Sequence, residues 1–411
     1  MAIRVEYLFF DMNSYFASVA QNEEPDLIGR PVGILTTDAP NAGCIAASIE
    51  AKSKGVGMGT RPDEARALCP GIVFRPARHD VCVDYHHRIR AAVDTVLPIA
   101  QAHSVDEFSC ALTGRQQDLD SALQIAQTLQ QRILRDVGPA MTCSVGVAPS
   151  VLLAKLAAEM KKPLGINWLH PDVLPGKIAH LSMMDIPGIS KGVLARLEKS
   201  GVSDVSGLYA LQPKHARAIW GSVVGEKVLR ALHGEAVDWT RASGKSIGHG
   251  QRLIGPNKSP EGARLVARRL LVKAAARLRR EGRFTRALTV SASPVDGPAQ
   301  TGVMQMASTQ DTFVLLEGCR TLWTGFELRA PIASVSVMLS DLSELKVGDL
   351  FAPGPVDGPT SKERLCYAVD GLNRRFGKDT VHFGRLPLHQ VPFTGAKIAF
   401  SRVPEIADFH E

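Results

Sequence analysis

Two short acidic stretches carry the residues best suited to chemistry. In YLFFDMNSYF, Asp11 follows an apolar run, and in HSVDEFSCAL, Asp106 and Glu107 lie between an apolar and an aromatic residue. Each stretch is typical of a strand that ends in acid, and buried acids are costly unless a cation neutralises them. Carboxylates are the ligands that Mg²⁺ prefers beside substrate phosphates, and two such ions about 3.5–4 Å apart activate an attacking oxygen and stabilise a leaving one. The alternative is that both stretches are solvated turns, where acids are common.

Strands and helices alternate around these acids in the N-terminal part. Strand patterns cover residues 5–11, 31–37 and 141–147, and residues 44–54 continue as a strand or a helix. Helical periodicity covers residues 14–21, 85–97, 119–136 and 151–161. Such interleaving predicts an α/β or α+β core.

From residue 170 to about 241 the pattern becomes wholly helical. A hairpin over residues 187–191 is predicted between two helices, and Gly201 would close the second helix as a C-cap glycine. This arrangement is typical of a helix-hairpin-helix module. Amides at Gly188, Ser190 and Lys191 would hold a DNA phosphate without reading bases. An ordinary turn between helices is the open alternative.

The C-terminal half contains the strongest positive charge. Residues 242–260 are rich in Gly, Ser and Lys and are predicted to form a linker. A helix over 261–280 and strands at 287–292, 300–306 and 332–339 follow. We expect the helix to pack on a small antiparallel sheet and to display a basic strip outward, because it has almost no acidic partners. The cations predicted to contact DNA are Lys245, Arg252, Arg268, Arg269, Lys273, Arg277, Arg283 and Arg286.

Composition and charge agree with a nucleic-acid partner. The 411 residues suffice for two to four domains, and 45% hydrophobic and 22% charged residues are ordinary for a globular protein. The formal charge is +7, of which residues 243–290 carry +10. Seven scattered cysteines indicate neither a zinc site nor a disulfide framework. We expect a cytoplasmic protein, because neither a membrane span nor a cleavable leader is visible.

Several motifs in one order carry a family resemblance. They are DMNSYFASV, LCP at residues 68–70, SVDE, SVGVAPSVLLAKLAAEMKKPLG and KSIGH. Together they resemble the bacterial, DinB/UmuC-like Y family of translesion DNA polymerases over roughly residues 5–373. The resemblance implies an α+β right hand with an α/β palm (1–24 and 78–170), small fingers (25–77), a helical thumb (171–241) and an α/β little finger (242–340). Residues 341–411 would be a C-terminal extension.

The resemblance implies a site for nucleotidyl transfer. Asp11, Asp106 and Glu107 would bind two Mg²⁺ ions, helped by the backbone carbonyl of Met12. The primer 3′-hydroxyl of a primer–template DNA would attack the α-phosphorus of a deoxynucleoside triphosphate, and pyrophosphate would leave. In such a reaction the protein mainly supplies positioning and charge stabilisation.

The resemblance also implies a nucleotide pocket. Phe16 would be a steric gate against a 2′-hydroxyl, with Tyr15 beside it, although periodicity alone would make Phe16 a core aromatic. Lys162 would meet the triphosphate, because a compact ammonium suits that role. Gly43 and Ile45 would form a roof over the nascent base pair. Lys155 and Lys161 are interpreted as solvated surface residues.

This chain departs from the family pattern in the fingers and after Asp11. Asn13 and Ala20 replace an aspartate and a glutamate of the family, and SIEAKSKG stands where SYEARKFG is usual. Ile49 therefore lacks a tyrosine hydroxyl, and Lys52 lacks the bidentate fork of arginine. We expect a raised nucleotide KM or altered fidelity. An Ile49→Tyr, Lys52→Arg variant that showed no kinetic gain would contradict this expectation.

A candidate partner site lies late in the chain. VGDLF, residues 347–351, stands where relatives carry a sliding-clamp peptide; Leu350 and Phe351 match, but Val347 replaces the leading glutamine. A helix over 364–384 resembles the tail of the mutasome-associated branch, so other mutagenesis proteins are further candidate partners. The leading interpretation is an error-prone translesion polymerase acting in DNA repair. The alternatives are a catalytically weak or inactive adaptor that binds DNA and clamp, and a purely structural DNA-binding protein.

Overall fold

The computed structural model describes residues 3–36, 43–239, 245–328, 331–344, 358–377 and 379–387, together with Ile398 and Val403. The chain divides into two compact units. The first comprises Met1–Trp239 and Ala396–Ile406, and the second comprises Thr240–Gly395 and Ala407–Glu411. Within the described ranges, no helix is long and apolar enough to cross a membrane.

The described residues of the first unit alternate strands and helices before becoming helical. Its strands are β1 (Tyr7–Met12), β2 (Val32–Leu35), β3 (Cys44–Ala47), β4 (Val73–Pro76), β5 (Ile99–Ala102), β6 (Glu107–Ala111), β7 (Cys143–Ala148) and β8 (Ile166–Trp168). Its helices are α1 (Tyr15–Glu23), α2 (Ile49–Lys52), α3 (Pro62–Leu68), α4 (His79–Asp94), α5 (Leu119–Asp136), α6 (Val151–Glu159), α7 (Lys191–Lys199), α8 (Val205–Tyr209), α9 (Pro213–Trp220) and α10 (Val223–Leu232).

The main sheet of the first unit has β1 at its centre. Its strand order is β5-β6-β1-β7-β8, and β1 runs antiparallel to both β6 and β7. Side chains alternate between the two faces. Leu8 and Phe10 pack with α4 and α5, whereas Phe9 packs with α6. The apolar run before Asp11 is continuous because helices cover both faces.

Two smaller parts complete this unit. A three-stranded sheet, β3-β2-β4, has β2 parallel to β4 and antiparallel to β3. In the helical part, α7 to α10 share a core with α6 that includes Leu197, Leu208 and Leu229. The predicted hairpin lies before α7, but one turn of 3-10 helix, Met183–Asp185, stands where a first helix was expected. Gly201 has a φ of +79° directly after α7, which confirms the expected helix end.

The second unit is a sheet covered by helices on one face. Its strands are β9 (Ser246–Arg252), β10 (Phe284–Pro294), β11 (Gln300–Thr309) and β12 (Ile332–Ser343), and its helices are α11 (Pro260–Arg280), α12 (Thr312–Thr324) and α13 (Ser361–Phe376). The strand order is β11-β10-β12-β9, with antiparallel pairing throughout. Leu288, Val290, Val335 and Val337 face α11 and α12 in one apolar core.

Part of the predicted linker is a strand. Residues 246–252 form β9, which pairs with β12, and Ile247 is buried in the core of the second unit. The sequence SIGHGQR gives a weak strand signal because it contains two glycines and one apolar residue. Pairing with a long neighbouring strand therefore decides the structure here.

The last described helix is also shorter than predicted. The expectation of a helix over 364–384 is wrong at its C-terminal end, because α13 ends at Phe376 and Gly377 follows with a φ of +104°. The helix begins with a capping box, in which Thr360 and Glu363 each bond the backbone of the other. It packs on α11 and α12 within the second unit.

Candidate active site

Two of the predicted acids, Asp11 and Glu107, meet on the face of the main sheet that α6 covers. Asp11 lies near the end of β1, opposite Glu107 across the antiparallel pair. Glu107 is the first residue of β6, so the second acidic stretch begins a strand rather than ending one. The backbone N–H of Met12 donates to the carbonyl of Asp106 (3.0 Å), which fixes the two acidic stretches to each other.

Two lysines neutralise these acids. The Nζ atom of Lys162 lies 3.0 Å from Asp11 Oδ2 and 2.7 Å from Glu159 Oε1. Lys155, on α6, is paired with Glu107, so its interpretation as a solvated surface residue is wrong. Its ammonium also lies 5.5 Å from the ring centroid of Phe9. One cation from the middle of α6 and one from the turn after it thus pair with acids from two strands.

The carboxylates are crowded enough to change their proton affinity. Burial, reinforced by the charges of Asp106, Glu159 and Glu107 and opposed by Lys162, raises the pKa of Asp11 to about 8. Burial and the neighbouring Glu107 also raise the pKa of Asp106. Burial lowers the pKa of Lys162, but the attraction of Asp11 and Glu159 raises it more. The carboxyls of Asp11 and Asp106 therefore bind a proton, or a cation in its place, more readily than exposed acids do.

The carboxylates that converge are not the three that were expected. Oxygens of Asp11, Glu107 and Glu159 all lie within 4.8 Å of one another. Asp106 is outside this group, and its carboxylate accepts a hydrogen bond from the hydroxyl of Ser104 (2.5 Å). Sequence reasoning missed Glu159. The helical spacing that places it one turn from Lys155 and three residues before Lys162 was the available signal.

This donor set suits a hard divalent cation. All three converging ligands are carboxylate oxygens, and burial together with the neighbouring acids raises the pKa of Asp11, so a bound cation would relieve both effects. A metal site built from Asp11 and Glu107 is therefore consistent with the geometry, with Asp106 and Glu159 beside it.

Known proteins match this chain over nearly its whole length. The impB/mucB/samB family matches residues 10–159, and its C-terminal domain matches residues 244–350. DNA polymerase IV of Moorella thermoacetica is 32% identical over 411 residues, covering 96% of this chain and 97% of the relative. DNA polymerase IV 2 of Bacillus subtilis is 28% identical, covering 98% of each chain. The chain belongs to the Y family of DNA polymerases. This confirms the resemblance read from its motifs.

Solved structures show the same fold. A Y-family DNA polymerase chimera superposes with a TM-score of 0.68 at 20% identity, covering 82% of this chain and 98% of the other. A structure described as an insertion ternary complex of Dbh DNA polymerase gives 0.56 at 21% identity, with the same shares covered. The predicted α+β fold of a Y-family polymerase is therefore confirmed.

Of the two neighbouring aromatics in this Y-family chain, one is available to a nucleotide. Phe16 is half-buried and makes edge contacts with Tyr15 (6.0 Å between centroids) and His79 (5.5 Å). It packs on the same small cluster as Ile45, so the predicted gate and roof lie together. Tyr15 is buried and its hydroxyl donates to the carbonyl of Cys82 (2.5 Å). The ring of Tyr15 belongs to the core, and a nucleotide contact by this residue stays a prediction.

Of the residues predicted to bind the nucleotide from the fingers, Lys52 lies near the acids. A β-carbon at Gly43 would lie 3.4 Å from the carbonyl oxygen of Gly59. Ile49 is the first residue of α2 and is half-buried. Burial and then the charge of Lys162 lower the pKa of Lys52, and the acids of the site oppose this effect. The ammonium of Lys52 therefore interacts electrostatically with the acids of the site. A nucleotide role for these three residues stays a prediction.

The hairpin before α7 has a backbone that requires glycine at its turn. Gly188 has a φ of +96°, and a β-carbon there would lie 2.9 Å from Val228, so only glycine fits. The hydroxyl of Ser190 caps α7 by accepting from the N–H of Val193 (3.4 Å). Gly188, Ser190 and Lys191 are exposed. Contact with DNA stays a prediction for all three.

The expected outward basic strip of α11 is wrong. Arg268 donates to the Phe383 carbonyl (3.1 Å), Arg269 pairs with Asp379 (2.7 Å), and Arg277 pairs with Glu281 (2.8 Å). Lys273 and Arg283 also have partners within the chain. The helix is central to its unit, so its cations hold neighbouring segments and do not point freely at solvent. Lys245 and Arg252 are exposed, and Arg286 lies 3.6 Å from Asp341 at the surface.

The open face of the second sheet is a surface that the sequence did not reveal. Met338 of β12 lies opposite Thr289 of β10 and Gly248 of β9. Ser336 of β12 lies opposite Ser291 of β10 and Gly250 of β9. These positions alternate with the residues that face α11 and α12. Hydroxyls, glycines and the exposed side chain of Met338 thus line this face. Leu350 and Phe351, the degenerate clamp motif, lie outside the described residues.

Proposed function

We propose that this protein is a template-directed, low-fidelity DNA polymerase that extends primers on damaged templates during DNA repair. Its family membership supports the activity, and the relatives that match it along their full length are DNA polymerases IV. The observation that carries the proposal is the buried acidic site, where Asp11 and Glu107 face each other on adjacent strands beside Lys162.

The proposed chemistry is in-line transfer of a nucleotidyl group to a primer 3′-hydroxyl. Asp11, Asp106 and Glu107, with the carbonyl of Met12, would hold two Mg²⁺ ions. When bound, these ions lower the pKa of the attacking hydroxyl and stabilise the leaving pyrophosphate. The residues themselves hold the primer end and the triphosphate next to each other in a buried site. This positioning supplies much of the rate enhancement.

Lys162 has a second role in this proposal. In the present arrangement its ammonium holds Asp11 and Glu159. A triphosphate carries more negative charge than Asp11, so Lys162 exchanges Asp11 for the nucleotide while Glu159 keeps the ammonium near. Asp11 is thereby released for metal at the moment when the nucleotide arrives.

Selection of the sugar is assigned to Phe16. Its half-buried ring is fixed by edge contacts with Tyr15 and His79 and cannot retreat without disturbing buried neighbours. A 2′-hydroxyl on the incoming nucleotide would therefore clash with the ring. Gly43 and Ile45 would cover the nascent pair, and their small size would admit a damaged template base.

Duplex contact is assigned to two surfaces, one in each unit. The hairpin amides at Gly188 and Ser190 suit a phosphate, and the open hydroxyl-lined sheet of the second unit suits a DNA backbone. Lys245 and Arg252 flank that sheet and add charge. Because affinity rests on phosphate contacts, it should fall steeply as salt rises.

Primer extension tests the proposal. The wild type should extend a primer with Mg²⁺ on an undamaged and on an abasic template, and a variant carrying Asp106→Ala and Glu107→Ala should not. The chain offers a matched control in the exposed pair Asp63 and Glu64, whose double alanine variant should remain active. Absence of extension by the wild type at every nucleotide concentration would refute the proposal and favour the adaptor.

We also propose protein partners and a cytoplasmic location. Docking to a sliding clamp rests on Leu350 and Phe351 alone, and a pull-down with a Leu350→Ala, Phe351→Ala variant tests it. Other mutagenesis proteins remain candidate partners through the C-terminal extension. A cytoplasmic location is supported by the seven cysteines, which are all buried free thiols.

A further inference from the structure

Three stacked rings lie beneath the acidic site, on the face of the sheet opposite α6. His86 of α4 is only 2% exposed, and its ring stacks on Phe108 at 4.9 Å between centroids. Phe108 stacks in turn on Phe10, also at 4.9 Å, with an interplanar angle of 14°. Phe10 directly precedes Asp11, and Phe108 directly follows Glu107. On each of the two strands, the residue next to the acid is therefore a phenylalanine whose ring packs on the face of the sheet opposite α6.

His86 also holds the backbone before Asp106. Its Nδ1 atom lies 2.8 Å from the carbonyl oxygen of Val105. Since a carbonyl only accepts, Nδ1 carries the proton. Burial lowers the pKa of His86 to about 4, so the ring is neutral at physiological pH and donates through one nitrogen. The residue therefore acts as a fixed donor rather than as a charge.

The contacts of His86 bracket the acidic pair. Val105 is bound on one side, Phe108 is stacked on the other, and Asp106 and Glu107 lie between them. The carbonyl of Asp106 is itself tied to Met12 of β1, and the carbonyl of Glu107 accepts from the N–H of His103 (2.8 Å). Without the bond from His86, the turn entering β6 would keep its backbone bond to β1 but lose the polar contact that fixes it to α4.

We propose that His86 is a positioning residue for the Asp106–Glu107 pair, acting through its hydrogen bond to Val105 and its stack on Phe108. The inference rests on the proposed function, because it concerns the same acids. A buried histidine with a satisfied hydrogen bond is commonly only a core residue. The test must therefore measure a property of the acids that general loss of stability would not change.

Two substitutions separate the two contacts of His86. His86→Phe keeps a ring on Phe108 and loses the donor to Val105, whereas His86→Asn keeps an N–H near the position of Nδ1 and loses most of the stack. The neighbouring His87 is exposed and touches only the edge of His86 (5.5 Å, 81°), so His87→Phe is a matched control. Melting temperature and circular dichroism are recorded for every variant.

Metal binding gives a readout that does not require activity. Free Mn²⁺ measured by electron paramagnetic resonance reports affinity, and the Mg²⁺ concentration for half-maximal primer extension reports the same property during turnover. Residues that orient metal ligands commonly change metal affinity or activity about 10–100-fold, so we expect about a tenfold loss of both in His86→Phe. His86→Asn should regain most of it, and His87→Phe should match the wild type.

The outcomes separate this inference from the proposed function. Mn²⁺ affinity in His86→Phe within twofold of the wild type would overturn the inference. A loss that is equal in the Phe and Asn variants and follows their melting temperatures would also overturn it, because the role would then be structural. A wild type that binds Mn²⁺ but extends no primer would refute the polymerase proposal, while the Mn²⁺ comparison would still decide the role of His86.

Discussion

Replacing Asp11 with asparagine should stabilise the metal-free protein at alkaline pH, even though it removes a predicted metal ligand. Burial, together with the like charges of Asp106, Glu159 and Glu107, raises the pKa of Asp11 from 3.8 to about 8 despite the opposing charge of Lys162. A carboxyl with a higher pKa in the folded state binds its proton more tightly there than in the unfolded chain. Its contribution to stability is therefore fully present below about pH 4 and is lost as pH rises towards about 8.

The size of the effect follows from the shift. Each pKa unit corresponds to about 1.4 kcal/mol, so a shift of roughly four units sets an upper limit of about 5 kcal/mol at pH 8. Asparagine also loses the ion pair with Lys162, and this loss reduces the gain in the free energy of unfolding. We expect Asp11→Asn to raise the free energy of unfolding by about 1–3 kcal/mol at pH 8.5 and by much less at pH 5.

Urea unfolding in EDTA at pH 5, 7 and 8.5 measures this difference. Asp26→Asn is the control, because Asp26 is exposed and its replacement should leave the pH profile unchanged. A destabilised Asp11→Asn protein at pH 8.5, or a gain that is the same at every pH, would refute the electrostatic reasoning. Loss of primer extension by the same variant would show that stability and activity conflict at this position.

Three further predictions concern the nucleotide, the fingers and the second unit. Phe16→Ala should lower discrimination against ribonucleotides by at least about tenfold while leaving deoxynucleotide kcat similar, as measured by the ratio of kcat/KM values for the two sugars. The double variant Ile49→Tyr, Lys52→Arg should lower the nucleotide KM, since it adds a hydroxyl and a bidentate fork; an unchanged KM in steady-state kinetics would contradict this. Arg279→Met should destabilise the protein by about 2–4 kcal/mol, because the half-buried Asp370 loses its ion pair and the buried carbonyl of Gln310 loses a donor. Thermal and urea unfolding measure that loss, and Arg320→Met, at a fully exposed ion pair, should show no measurable change.

Local patterns predicted much of the first unit. The helix over residues 119–136 has the bounds of α5, and the strands carrying Asp11 and the 141–147 run lie side by side in the sheet. These segments have strong periodicity or continuous apolar runs, so their structure depends little on distant partners. Glu159 was missed and Lys155 was misinterpreted as a surface residue, because the approach of Glu159 to Asp11 and the pairing of Lys155 with Glu107 depend on α6 lying over that face of the sheet. Periodicity alone does not specify that packing.

The second unit shows where sequence reasoning fails. The arginines of α11 were expected to point outward because the local sequence holds almost no acids. Asp370 and Asp379, which pair with Arg279 and Arg269, come from 91 and 110 residues away. A short stretch of sequence around α11 contains neither of these two acids. The same reason explains β9, whose structure depends on pairing with β12, far along the chain.

Arg279 defines where this protein can be shortened. It is 4% exposed, pairs with both oxygens of Asp370 (2.7 and 2.9 Å), and also donates to the Gln310 carbonyl and the Thr312 hydroxyl. The family match to the second unit ends at residue 350, before α13. A chain truncated there would keep the guanidinium in the interior and discard its counter-ion. Deletion variants that end before Asp370, although meant to remove only a tail, would therefore destabilise the second unit.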